Sequence, residues 1–141
     1  TLHFIGETQQ YAAIHAALQI VEMQAFDLCL RSVGTFPEQG QPRILWAGIE
    51  ESSSLQQLHQ RVSAALQTTG YQPESRPYNP HLTLARFKKD KPDAGRLAHY
   101  LATHHGFQTP QFAITHFTLY ASQLENDGVM YAPQEHYRLA N

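Results

Sequence analysis

Cysteine is nearly absent. Cys29 stands alone in 141 residues, which excludes an internal disulfide framework and fits a reducing, cytoplasmic setting. Charge is scarce as well: 16% of residues are charged and the formal net charge is -2. That balance excludes wrapping of duplex nucleic acid by bulk electrostatics, although it leaves room for gripping one terminal phosphate. No apolar run approaches membrane-spanning length and no signal peptide is visible, so no membrane partner is expected. Paired His104 and His105 invite a metal reading, but no spaced Cys/His/Asp/Glu set completes a site, and neither metal nor cofactor is expected. Low-complexity segments and linkers are lacking too. With 42% hydrophobic residues, the chain is expected to form one domain over 1–141.

What is present is an alternation of short strands and amphipathic helices. Residues 1–6 read as a strand with Leu2 and Phe4 facing a core. Thr8 can cap the next helix, whose Tyr11, Ile14, Leu18 and Val21 form a stripe that leaves His15 solvated. Phe26, Leu28 and Leu30 alternate with polar residues as in a half-buried strand, and the stretch 34–42 is a turn. The apolar run 43–49 then returns as its hairpin partner. Ser52 to Ser54 supply caps for a helix with Leu55, Leu58, Val62, Ala65 and Leu66 inward and His59 exposed, closed by Gly70. A loop follows over 71–79, and Lys88, Lys89 and Lys91 around Asp90 read as a solvated turn. The segment 93–105 is a helix with Leu97, Tyr100 and Leu101 inward. A long strand over 112–124, a turn at Asn126-Asp127-Gly128 and a return over 129–139 complete the chain.

The stretch Asn79-Pro80-His81-Leu82-Thr83-Leu84-Ala85-Arg86 carries the chemistry. As a strand entered through proline it puts His81 and Thr83 on one face, with Leu82 and Leu84 opposite to anchor it in a core. A threonine hydroxyl can donate to a phosphate oxygen, and an imidazole moves protons near neutral pH. Arg76, in the preceding loop, is either a phosphate or RNA contact or a solvated charge. Arg86 leaves on the parity opposite Thr83 and suits a rim or structural role. Trp46 is either packing or a face on which a base stacks. His116-Phe117-Thr118-Leu119 repeats the His-x-Thr-Leu spacing, so pattern alone does not rank it below His81.

Together with Thr1-Leu2-His3-Phe4-Ile5-Gly6-Glu7 and Phe117-Thr118-Leu119-Tyr120-Ala121-Ser122, these motifs resemble the two-histidine (2H) phosphoesterase superfamily. Within it the similarity is to the RNA 2',3'-cyclic phosphodiesterases, also called 2'-5' RNA ligases. The resemblance implies an α+β fold: a bilobal, pseudo-two-fold domain of two antiparallel sheets flanked by helices around a central cleft. It also implies metal-independent opening of RNA 2',3'-cyclic phosphate ends to 2'-phosphates, with 2'-5' ligation as the reverse reaction. His81 would be the base, with Thr83 and Thr1 on the phosphate. His3, Arg76, Arg86 and Trp46 would contact substrate. RNA ends, tRNA fragments among them, are the expected partner of a monomer. The first-motif histidine would stand two residues ahead of Thr1, so a strand and helix are expected before this sequence begins. On this resemblance His116 is a decoy. The alternatives are a binding module that holds a nucleotide or RNA end without turnover, and a phosphodiesterase for another small cyclic phosphate.

Overall fold

A computed structural model describes residues 1–87, 92–126 and 128–141. Lys88, Lys89, Asp90, Lys91 and Asp127 lie outside them, and with them the expected lysine turn and the centre of the last hairpin turn. The elements are α1 (Tyr11–Gln19), β1 (Phe26–Leu28), β2 (Leu30–Phe36), β3 (Ile44–Ile49), α2 (Ser53–Gln67), β4 (His81–Arg86), α3 (Ala94–His104), β5 (Phe112–Ile114), β6 (His116–Glu125) and β7 (Gly128–Arg138). This is the mixed α+β class expected. Among the described residues no helix is long and apolar enough to cross a membrane.

The chain divides into two compact units, each assembled from three sequence segments. In the first, β2, β3 and β4 form an antiparallel sheet in that order, and α3 packs on β2. In the second, β6 and β7 pair antiparallel over their whole length. There α1 lies against β7, and α2 buries Leu55, Leu58, Val62, Ala65 and Leu66, the stripe expected from its spacing. Most of the fully buried side chains belong to this second unit, including Ile14, Leu18, Phe117, Tyr137 and Leu139. The β1 and β5 strands make a separate two-stranded pairing.

Several local expectations are corrected. The alternating run at 26–31 is not one strand, because it splits at Cys29: β1 pairs with β5, while β2 pairs with β3. Ser32 takes a left-handed φ of 64°, and a bulge between Leu30 and Val33 resets the register. The strand therefore runs on to Phe36, and the turn starts later than Gly34. Residues 1–6 form no regular strand, and Phe4 is 61% exposed, since no ladder fixes alternate side chains inward. Helix α3 is capped by Asp93, which accepts from the Arg96 N–H at 2.9 Å, but it buries no residue fully and Tyr100 is exposed. Leu82 and Leu84 are 49% and 45% exposed rather than anchored in a core. They lie on β4 at the sheet edge, on a face that no described layer covers.

His15 and His59 are not solvated as expected. His15 is half-buried and its Nδ1 lies 3.0 Å from the Tyr137 hydroxyl. His59 is half-buried with its ring stacked on that of His3 at 4.3 Å. Cys29 is buried, and its thiol donates to Glu50 Oε2, a structural role.

Candidate functional site

The first unit carries an aromatic and imidazole face on its three-stranded sheet. Strand β4 alternates half-buried His81, Thr83 and Ala85 with exposed Leu82, Leu84 and Arg86, so the period of two holds as expected. The ladder places Thr83 opposite Trp46 and Trp46 opposite Gly34, which sets these three in one row across the sheet. Phe36, two residues beyond Gly34 on β2, shares that face. Its ring centroid is 5.3 Å from Trp46 and 5.0 Å from His81, the latter edge-on at 82°. His81 is thus held by an aromatic neighbour on the face it shares with Thr83.

One hydrogen bond determines what His81 can do. Its Nδ1 lies 2.7 Å from the Asn79 carbonyl oxygen. A carbonyl only accepts, so Nδ1 must carry the proton, and in the neutral ring Nε2 then bears the lone pair. Pro80 sits between the two residues and keeps the chain extended into the strand. The Asn-Pro-His sequence thereby places an imidazole that accepts a proton at Nε2.

Trp46 is half-buried, and its indole lies directly over Gly34, where a Cβ would run into the ring. Gly48 is equally confined, since a Cβ there would meet the Arg31 carbonyl. The indole Nε1 is buried and makes no hydrogen bond among the described residues. Tyr78, three residues before His81, has its phenol pushed up to about 12 by burial, so it remains a neutral donor at any working pH.

The other candidate residues are distributed as follows. Thr1 is exposed and falls in the same unit as His81. Arg76 is exposed in the loop ahead of β4. Arg86 ends β4 on the parity opposite Thr83, as expected. His3 belongs to the second unit, where its Nε2 lies 3.1 Å from the His59 carbonyl and its Nδ1 3.3 Å from the Tyr71 hydroxyl. His116 is exposed on β6, also in the second unit. Within the first unit the structure therefore gathers His81, Thr83 and Trp46 on one face and leaves Arg86 off it. Phe36 and Gly34 were missed by the sequence reading. Their signal was an aromatic two residues past a glycine ahead of the tryptophan strand, legible only once the β2–β3 register is known.

A family profile for the 2'-5' RNA ligase superfamily matches residues 1–126. Among curated proteins, the RNA 2',3'-cyclic phosphodiesterase of Aeropyrum pernix is 35% identical over 91 residues, 62% of this chain and 52% of that protein. The enzyme of the same name from Archaeoglobus fulgidus is 34% identical over 95 residues, 66% and 53% respectively. The chain spans about half the length of these relatives. Among solved structures, TT0787 of Thermus thermophilus aligns with a TM-score of 0.77 at 23% identity, covering 98% of this chain and 75% of that one. LigT of E. coli complexed with 3'-AMP aligns at 0.74 and 24% identity, covering 100% and 76%. Both structures share the fold.

Proposed function

Since the chain belongs to the 2'-5' RNA ligase superfamily, we propose that it is a phosphodiesterase that opens 2',3'-cyclic phosphate ends of RNA. The observation that carries this reading is the orientation of His81. With Nδ1 donating to the Asn79 carbonyl, Nε2 is the free base, on the face it shares with Thr83.

In this reading Nε2 of His81 takes a proton from water as the water oxygen bonds to phosphorus. The P–O3' bond breaks, and O3' receives a proton from the second histidine of the two-histidine pair. A terminal 2'-phosphate and a free 3'-hydroxyl result. The hydroxyls of Thr83 and Thr1 donate to the non-bridging oxygens, whose charge grows in the transition state. No metal ion takes part, because the imidazoles make both proton transfers. In reverse, the same groups join a cyclic end to a 5'-hydroxyl through a 2'-5' linkage. Trp46, beside Phe36, offers a ring for the terminal base, and Arg76 a cation for the RNA backbone. That the similar proteins of Aeropyrum pernix and Archaeoglobus fulgidus are RNA 2',3'-cyclic phosphodiesterases supports the substrate class.

The experiment is turnover of cytidine 2',3'-cyclic phosphate by the full-length protein in the presence of EDTA. His81→Ala should lower the rate by about 10²–10⁴ with little change in melting temperature, since the side chain is half-exposed. Retained turnover would remove His81 from the mechanism, and tight binding without product in the wild type would favour a binding module.

A further inference from the structure

The long β6–β7 hairpin carries a surface that the reaction at the cyclic phosphate does not use. Along β6, residues 116, 118 and 120 share one face. The register sets Arg138 opposite His116 and His136 opposite Thr118. Past a bulge on β7 it sets Tyr131 opposite Ser122, two residues beyond Tyr120. One face therefore runs from Arg138, His116 and His136 at the base to Tyr120 and Tyr131 further out. Those two tyrosines are 54% and 55% exposed. His116 to Leu124 is eight residue steps, roughly 27 Å of ribbon, more than a single nucleotide requires.

The chemistry of this face is consistent along its length. His116 and His136 lie 5.2 Å apart with rings at 79°. Each is engaged through Nδ1, by the Thr115 hydroxyl at 3.3 Å and the Thr118 hydroxyl at 3.0 Å. When those hydroxyls donate, each ring carries its proton on Nε2 and presents an N–H outward. With the Arg138 guanidinium this makes three donors suited to phosphate oxygens. Among the described residues of the hairpin, the acidic Glu125 and Glu135 fall on the other face, and Glu135 accepts from the Tyr11 hydroxyl at 3.0 Å. Donors for phosphate followed by exposed aromatic rings is the arrangement that holds single-stranded nucleic acid.

We propose that this face of the hairpin binds single-stranded RNA, with phosphodiesters at His116, His136 and Arg138 and bases against Tyr120 and Tyr131. The choice of RNA as the occupant rests on the functional reading above, and the surface is one that binds several nucleotides in its own right.

The test is fluorescence anisotropy of the full-length protein with a labelled eight-nucleotide single-stranded RNA, ending either in a 2',3'-cyclic phosphate or in a 3'-hydroxyl. Tyr120→Ala/Tyr131→Ala should weaken binding of both RNAs by about ten-fold or more, and Tyr→Phe at both positions should restore it. Arg138→Gln should weaken binding and flatten the slope of log Kd against log salt by about 0.7. Melting curves accompany each variant, and because these residues are exposed, folding is expected to survive. Folded variants that bind within two-fold of wild type would overturn the proposal. So would a wild type that binds neither RNA, or one whose dimerisation buries the same tyrosines. RNA binding that is lost as expected, from a protein that never turns over the cyclic end, would uphold the hairpin surface and overturn the catalytic reading alone.

Discussion

Gly34 holds the candidate site together by having no side chain, and Gly34→Ala measures how much. The residue faces Trp46 across the β2–β3 ladder, and an added methyl would overlap the six-membered part of the indole. Its φ is not in the left-handed region, so the substitution tests packing without backbone strain. The ring has little room to retreat, because Phe36 is 5.3 Å away and itself leans on His81. Overpacking of this kind costs about 1–3 kcal/mol. For 141 residues the unfolding entropy is about 0.3 kcal/mol/K, so the melting temperature should fall by roughly 3–10 °C. Trp46 is the sole tryptophan, so its emission reports on this position alone and should shift to the red as the indole is displaced. Combining Gly34→Ala with Trp46→Phe removes the colliding ring atoms. The pair should therefore be less destabilised than the sum of the two single changes, by about 0.5–3 kcal/mol. A Gly34→Ala protein with unchanged melting temperature and emission maximum would refute the packing argument, and with it the reasoning that ties Trp46 and Phe36 to the placement of His81.

Two leucines should behave in opposite ways. Leu58 is 2% exposed, so Leu58→Ala should cost about 2–5 kcal/mol in urea denaturation. Leu82→Ala, on the uncovered face of β4, should cost well under half of that. Acidification should destabilise the second unit. Burial, and then the charge of His3, hold the His59 pKa below its ordinary 6.5. The unfolded chain therefore takes up the proton more readily, and the associated stability is complete above pH 6.5 and lost as the pH falls below it. Thermal melts from pH 7.5 to 5.5 should show a smaller decline for His59→Gln than for wild type.

Helix α2 was legible because its spacing records which side faces a core: Leu55, Leu58, Val62, Ala65 and Leu66 are all buried, whereas Tyr11 of α1 and Tyr100 of α3, read as inward, are exposed. Legible too was the period of β4, where His81 and Thr83 share a face. The misreadings at Phe4, Leu82 and Leu84 have a common cause. Apolar alternation says which residues a strand can bury, whereas the layer that buries them comes from elsewhere in the chain. His15 and His59 were misplaced for the reverse reason. A polar residue off the apolar stripe reads as solvated unless its partner is known, and those partners, Tyr137 and His3, are remote in sequence.

By itself the sequence determined the chemistry available at positions 79–86. Asn-Pro-His followed by Thr two residues on dictates an extended entry and a shared face, because proline restricts its neighbours and strand geometry repeats every two residues. Only the tertiary structure decided which nitrogen of His81 donates to the Asn79 carbonyl, that Phe36 packs against both His81 and Trp46, and that Arg138, His136 and two tyrosines line up along one ribbon. Those facts depend on hydrogen-bond partners and on strand register, including the bulges at Ser32 and beside Gln134. A register is a relation between distant segments that no local pattern encodes.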